Sequence, residues 1–432
     1  METSDRGWIE DWFSRVEQAA DFQVEPLALS HSKHWQMVGG AIAHDSGRFF
    51  RIAGTVWRDA EGAPTYRPMV EQREIGTLGF ILRDRPSRAP ELLAHAKIEP
   101  GNVNAVQLAP TCQATASNIA CLHGGDVPPY SGMFGADAAE MVHQSLQSEQ
   151  GSRFLGKLNR NVLVRFNGDV ALTPAHRFVA VDEVLELVAA DYVMNTDARS
   201  VLVTSPWRTL VRRPPFERYD VQFARELAES FRLPIKPEQT MTLGRTLSLV
   251  RANTPQPTAV PLDALEGWRV DAEGVVPEGG VPYRIRHIKV RARGREVAEW
   301  DQPIVESAGT GLVELHCGRL NGVLHFLFRL QVEPGLVSRA ELGPTVCVEP
   351  GSVAMNHPLP PSAHVIIETW QSDEGGRFFQ DKSLYRIVDR GQAHSAAEGY
   401  WLNVAQVHDL LMQGGWFTNE ARSVLSLLLT WM

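Results

Sequence analysis

The chain has 432 residues, 44% hydrophobic and 22% charged, an ordinary globular composition that excludes extensive disorder. A formal charge of −9 excludes a general nucleic-acid binder, which needs clustered Lys and Arg, but leaves room for one basic pocket facing a nucleotide diphosphate. No apolar run is long enough to span a bilayer, and Cys112, Cys121, Cys317 and Cys347 form no CxxC pair, so a cytoplasmic protein with reduced thiols and no membrane partner is expected.

In chain order, Phe49 to Trp57 alternates apolar and polar residues as a half-buried strand does, and Leu78 to Leu82 reads as a more fully buried one. Val181, Val184, Leu185, Val188 and Tyr192 follow helical spacing, and a short helix is predicted to start near Thr196-Asp197. Residues 214 to 261 form a joining stretch with an amphipathic helix (Phe223, Leu227, Phe231) and a Pro/Thr-rich connector. The same series then returns: strands at Tyr283 to Val290 and Leu324 to Leu330, a helix through Val404, Val407, Leu410 and Leu411, and a helix start near Asn419-Glu420.

The return extends to the residues themselves. Gln147-Ser-Glu-Gln-Gly-Ser-Arg-Phe154 recurs as Gln371-Ser-Asp-Glu-Gly-Gly-Arg-Phe378, and Ala198-Arg-Ser-Val-Leu202 as Ala421-Arg-Ser-Val-Leu425. Glu99-Pro-Gly101, eight residues, then Pro110-Thr111 recurs as Glu333-Pro-Gly335, eight residues, then Pro344-Thr345. Weaker matches fall in the same order, Trp35 with Trp268, Arg51-Ile52 with Arg284-Ile285, and Gly76 to Phe80 with Gly322 to Phe326. Collinear matches of this kind predict a tandem duplication, with domains at 1–214 and 215–432 and an α+β class, strands first and helices last in each.

No GxGxxG follows a predicted strand, and there is no P-loop, HExxH or GxSxG, so neither a cofactor nor a metal is expected and side chains must do the chemistry. The paired Glu-Pro-Gly and Gln-Ser-[Glu/Asp]-x-Gly-x-Arg-Phe elements, with Gly124-Gly125-Asp-Val-Pro-Pro-Tyr130 and Lys157-Leu-Asn-Arg-Asn161, resemble the NDP-hexose 2,3-dehydratases. The resemblance covers residues 24 to 209 and 260 to 432. It implies a homodimer whose halves are each Nudix-like, although the acidic box of working Nudix hydrolases is missing. It also implies a dTDP-linked 4-keto-6-deoxyhexose as substrate, a downstream NADPH-dependent 3-ketoreductase as partner, and a place in deoxysugar and antibiotic biosynthesis.

Such a reaction needs a base for the C3 hydrogen, an acid for the C2 hydroxyl, donors for an enolate oxygen and a cation for the diphosphate. Residues present in one copy only are the better candidates for chemistry. Lys97 is replaced by Gln331, and the span from Gly101 to Gln147 is 46 residues against 36 from Gly335 to Gln371, the excess falling around His123 and Tyr130. These differences place the working pocket in the first half and a degenerate one in the second.

The catalytic candidates are Lys97 as enolate stabiliser, Glu149 as base, His123 as an alternative base or acid, and Tyr130, which serves either packing or acid catalysis. Substrate-binding candidates are Gln107, Thr111, Gln113, Thr115 and Asn118, an alternating polar series that a strand would present on one face, together with Arg153, Asn159, Arg160 and Asn161. Thr345, Gln371 and Arg377 are assigned to the second pocket. Arg153 and Arg377 either hold a turn by pairing with Glu149 and Asp373 or bind ligand, and Glu99 and Glu333 are read as turn residues. Two rivals stand beside the dehydratase: a Nudix-type pyrophosphohydrolase and a non-catalytic nucleotide-sugar binder.

Overall fold

The computed structural model describes residues 6–59, 61–121, 125–135, 138–279, 283–293, 297–351, 358–393 and 398–432. The fold is mixed α+β with sheets predominant, and its elements recur in the two halves. Strands Trp35–Val38, Ala41–His44, Arg51–Arg58 and Pro64–Glu71 meander antiparallel, and Trp268–Val270, Gly274–Pro277, Tyr283–Arg291 and Glu299–Ser307 do the same. The strand that leads into each half crosses to the other: Gln23–Pro26 pairs with Tyr283–Arg291, and Thr258–Val260 pairs with Arg51–Arg58.

The larger sheet of the first half runs Glu140–Ser148, Leu158–Arg165, Gly76–Arg83, Glu91–Ile98, His176–Ala180, with only the Leu158–Arg165 and Gly76–Arg83 pair parallel. His364–Ser372, Lys382–Gln392, Thr310–Leu320, Val323–Val332 and Tyr400–Asn403 repeat that order and that sense in the second half, so Gly76–Arg83 corresponds to Thr310–Leu320. The expected match of Gly76 to Phe80 with Gly322 to Phe326 fails, because the latter falls on the counterpart of Glu91–Ile98. Gly76–Arg83 is buried along nearly its whole length, as its unbroken apolar run requires. Each half closes with two helices, Val181–Leu187 and Thr196–Val203, then Val404–Gln413 and Asn419–Ser426. Asn195 and Thr418 cap the later helix of each pair by accepting from Ala198 N–H and Ala421 N–H. The spacing through Tyr192 does not continue the first helix. Tyr192 stands at φ 58 beyond it, its N–H donating to Trp370 O at 3.0 Å.

The helices Thr196–Val203 and Asn419–Ser426 pack on each other at the centre of one apolar core, which draws Phe80 and Leu202 from the first half and Phe326 and Leu425 from the second. The repeated Ala-Arg-Ser-Val-Leu segment explains itself here. Arg199 Nη2 donates to Ser372 O at 3.2 Å, and Arg422 Nη2 donates to Ser148 O, so each buried guanidinium ties its helix to the opposite half. In the joining stretch, Gln222–Phe231 buries Phe223 and Leu227 as its spacing predicts, and a second helix, Pro237–Asn253, follows with proline in its first turn. Among the described residues, no helix is long and apolar enough to cross a membrane.

The Glu-Pro-Gly segments dock reciprocally. Gly101 N–H donates to Gly375 O at 2.7 Å and Gly101 O accepts from Gln380 N–H at 2.7 Å; Gly335 N–H donates to Gly151 O and Gly335 O accepts from Gly156 N–H, both at 2.8 Å. A Cβ on Gly101 would lie 1.6 Å from Phe378 O, and one on Gly335 would lie 1.6 Å from Phe154 O. The obstacle is backbone that is itself hydrogen-bonded, so it has nowhere to move. Gly101→Ala and Gly335→Ala are each expected to lose at least about 3 kcal/mol in denaturant unfolding, the upper end of overpacking costs. Gly132→Ala, where an added Cβ meets nothing within 4 Å, should stay within about 0.5 kcal/mol of wild type.

Candidate active site

A cleft of about 1480 Å³ opens on the first half and is closed on one side by residues of the second. Its polar interior is built by the ends of adjacent strands. Lys97, at the end of Glu91–Ile98, pairs with Glu99 at 2.9 Å; Gln113 donates to the same Glu99 oxygen at 3.1 Å, and Asn195 Nδ2 donates to Gln113 Oε1 at 2.9 Å. Glu99 is therefore more than a turn residue, because its buried carboxylate faces the cleft and Oε2 has no partner. Asn159 lies near the start of the strand Leu158–Arg165, and a Cβ on Gly76 beside it would stand 2.5 Å from Asn159 Oδ1, so a larger residue there would push the Asn159 amide aside. Lys157 Nζ donates to Glu74 O at 2.6 Å, while Glu74 accepts from Ser117 N–H and Oγ, both at 2.8 Å.

Glu149 lines the same cleft and is nearly sealed from solvent. Asn159 Nδ2 donates to its Oε1, and Asn419 Nδ2, from the second half, donates to its Oε2 at 3.1 Å. Burial raises its pKa, against the opposing pull of Arg422 and Lys157. The cation expected next to Glu149 is thus Arg422 of the second half, not Arg153. Asp197, in the first turn of its helix, forms the floor; burial, then Glu149, Glu374 and Glu99, push its carboxyl well above the usual range. Glu374 is pushed up to about 7 by burial and by Glu99.

The two repeated arginines exchange halves. Arg377 lies in the first-half cleft, its guanidinium 4.0 Å over the Phe50 ring, with Nη2 donating to Gln72 Oε1 at 3.3 Å and Nε buried without a partner. Among the described residues it makes no ion pair. Arg153 lies on the second half, 3.9 Å over the Tyr283 ring and paired with Glu349 at 3.2 Å. The expectation that each arginine serves its own half is corrected on both counts. The loop carrying it reaches across the seat that Gly101 or Gly335 provides.

Lys97, Glu149, Thr111, Gln113, Thr115, Asn118 and Asn159 meet around the cleft. Gln107, Arg160, Asn161 and Tyr130 do not. Gln107 donates to Tyr192 O and Ser372 Oγ in the seam between halves, and Asn161 donates to Ser200 and Thr204 behind the sheet. Arg160 donates to Thr77 Oγ1 and Phe134 O. The hydroxyl of Tyr130 donates to Ala171 O at 2.7 Å while its ring packs edge-on against His176. His123 lies outside the described residues.

The polar series is split because Pro110, lacking an N–H, ends the strand Val106–Ala109, and Cys112–Ala114 turns to pair with a different neighbour. Thr111 holds backbone, accepting from Ile81 N–H and donating to Leu93 O, as Thr345 does with His316 N–H and Leu327 O. Thr115 and Asn118 cap the short turn Ala116–Ile119 reciprocally. Part of the first half's longer segment also covers the sheet: Phe134 sits on Gly79, where a Cβ would come within 2.2 Å of its ring.

The cleft is also lined by Trp12, Trp35, Phe49, Phe50 and Trp300. At its exposed rim His34, His44 and Asp45 bring ligand atoms within 4.8 Å of one another, a grouping the linear spacing did not reveal. The Nδ1 of His44 already accepts from Ser46 N–H at 3.2 Å.

A smaller depression of about 620 Å³ on the second half is lined by Gln331, Thr345, Cys347, Arg329 and Arg390. Gln371 is buried near the seam with its amide unpaired. The hydrogen bond from Asp373 N–H to Asp381 O matches that from Glu149 N–H to Lys157 O, so Asp381 stands where the first half has Lys157, as Gln331 stands for Lys97. Sequence comparison of the halves found the Lys97 difference but missed Lys157, Asp197 and Glu374. A lysine replaced by an aspartate at matched positions was the available signal for Lys157. Asp197 reads locally as a residue complementing a helix dipole.

A cleft that gathers buried carboxylates and amines together with aromatic side chains has the groups that acid–base catalysis needs. The family profile described as NDP-hexose 2,3-dehydratase matches residues 7–204 and 248–428, and the chain belongs to that family. It is 32% identical to the dTDP-4-dehydro-6-deoxy-alpha-D-glucopyranose 2,3-dehydratase of Streptomyces violaceoruber, across 99% of this chain and 97% of the relative. Proteins of the same name from Saccharopolyspora spinosa (32% identity; 94% of this chain, 87% of the relative) and Amycolatopsis orientalis (31%; 99% and 90%) are similarly close.

The carboxyl of Asp373 is pushed up to about 8 by burial, then by Asp381 and Glu420. The unfolded chain ionises this group from near 3.8 while the folded chain holds it neutral, so its contribution to stability falls as pH rises from about 4 to about 8. Asp373→Asn removes that loss. Its Tm advantage over wild type is expected to grow across this window and level off above pH 8; an advantage independent of pH would refute the shift.

Proposed function

We propose that the chain removes water from dTDP-4-keto-6-deoxy-D-glucose across C2 and C3, in the first-half cleft. The observation that carries this reading is the one-sided distribution of charge. Lys97, Lys157 and the unpaired Arg377 face the first-half cleft, whereas the matched places of the second half hold Gln331, Asp381 and an Arg153 already neutralised by Glu349. Lys97 already pairs with Glu99, so it is Arg377, without an ion pair among the described residues, that this reading gives to the anionic diphosphate.

The ketone at C4 acidifies the C3 hydrogen, which Glu149 removes as base. Lys97 steadies the negative charge that develops on the C4 oxygen. Asp197, whose carboxyl burial and then Glu149 push well above the usual range, gives its proton to the departing C2 hydroxyl, which leaves as water. The resulting C3 enol tautomerises to the 3,4-diketo-2,6-dideoxy sugar. Asp197 takes the role considered for Tyr130, whose hydroxyl is committed to Ala171. Arg377 receives the diphosphate and the aromatic side chains of the cleft receive the base.

The recurrent sheets support descent from a duplicated Nudix-like module, with units at 1–214 and 215–432 that exchange their leading strands. The reading includes a homodimer and a 3-ketoreductase that consumes the labile diketone in deoxysugar biosynthesis. With the keto-sugar, NADPH and such a reductase, NADPH oxidation is expected only when both proteins are present; without the reductase, dTDP should be released. Keto-sugar recovered unchanged after prolonged incubation ends this reading. Lys97→Ala and Glu149→Gln should each lower kcat by roughly 100-fold or more, the low end of an acid–base or electrostatic contribution. Gln331→Ala should stay near wild type, and equal losses from Lys97→Ala and Gln331→Ala would move the site.

A further inference from the structure

Glu149 is bracketed by two amides, one from each half. We infer that Asn419 of the second half is a positioning residue for Glu149, holding the carboxylate in the plane and at the depth from which it reaches substrate, so that the first-half site is incomplete without the second half. The inference rests on the reading of Glu149 as base and adds the residue that orients it.

The orientation of the Asn419 amide follows from its neighbours. Its Oδ1 is the acceptor for Thr196 Oγ1 at 3.3 Å and for Ser423 Oγ at 3.5 Å, which leaves Nδ2 to face Glu149 Oε2. Asn159 Nδ2 holds the other oxygen, so rotation of the carboxylate out of its plane breaks a hydrogen bond. Asn419 itself is fixed, being buried at the first turn of a helix capped by Thr418 and tied to the opposite half through Arg422.

The arrangement is not reciprocal. The N-caps Asn195 and Thr418 match, so Thr196 is the first-half counterpart of Asn419. Thr196 turns to Asn419 and Ser423, and among the described residues it makes no bond to Asp373, the counterpart of Glu149. A short hydroxyl stands where the other half has an amide of the right reach. The symmetric frame thus delivers a carboxylate-orienting donor to one pocket only, the pocket that also holds Lys97 and Lys157.

Glu149 faces Lys157 beside its own strand, Arg422 and Glu420 from the helix of Asn419, Asp197 from the first-half helix and Glu374 from the second-half loop. None of these changes in Asn419→Ala. Loss of a donor to the ionised form shifts proton affinity upward, so the acidic limb of the kcat–pH profile should move to higher pH. We expect kcat to fall about 10- to 100-fold, the range of one hydrogen bond to a charged group, with KM within about twofold. Ser423→Ala, which loses a contact to Asn419 but none to Glu149, should leave the limb in place whatever it does to Tm. Should Asn419→Ala not fold, Asn419→Thr, which installs the shorter hydroxyl of the first-half counterpart Thr196 and adds no charge, is measured instead.

An unmoved limb in a folded variant, or kcat and KM changing only in step with Tm, overturns the proposal. Glu149→Gln separates the failures. If it turns over like wild type, the base assignment falls; if it is inactive while the Asn419 variant keeps the limb, only the role of Asn419 falls.

Discussion

The backbone of Gly101 lies against the carbonyl of Phe378, and that of Gly335 lies against the carbonyl of Phe154, closer than any side chain would permit. Everything that crosses between the halves is registered by these two seats. Each fixes the loop that carries Arg377 or Arg153, and so decides that the arginine projects into the opposite half. The leading strands and the buried Arg199 and Arg422 reinforce the same exchange from other directions. A frame held by backbone contacts tolerates drift in side chains, since the hydrogen bonds at the seats read no side chain at all.

That tolerance accounts for how a symmetric frame holds asymmetric chemistry. The first-half cleft gathers Lys97, Lys157 and the crossing Arg377 among Glu99, Glu149, Asp197 and the crossing Glu374. Buried acids crowd one another, and burial raises their pKa values; the cations Arg422, Lys157, Arg377 and Lys97 oppose part of that rise. In the second half the matched lysine positions carry Gln331 and Asp381, and burial pushes Asp373 and Asp381 up to about 8 and about 6 against the opposing pull of Arg199 and Arg153. Two environments with the same backbone thus sort their carboxyls differently.

The sheet faces diverge for a related reason. Gly79 leaves space that Phe134 fills, making a small apolar core under the longer first-half segment. At the matched place of the second half, two residues before His316 as Gly79 is two before Ile81, stands Glu314, buried with Arg386 and His316. The extra residues of the first half therefore serve packing as well as the cleft edge, where Pro128 and Pro129 reach the lining.

Sequence alone determined the recurrence, the α+β class, most strands and the capped helices, because these follow from periodicity and local hydrogen bonding that each segment carries with it. It also singled out Lys97, Glu149, Gln113 and Asn159, residues that differ between the halves or stand in short polar motifs. Only the tertiary structure decided that Arg377 lines the first-half cleft while Arg153 lies on the second half, that Gln107 and Asn161 face away, that Asp197 lines the cleft and that Asn419 bonds Glu149. Those facts depend on which loop crosses which seat. A crossing is set by contacts between residues more than two hundred positions apart, and no local pattern in the chain records them.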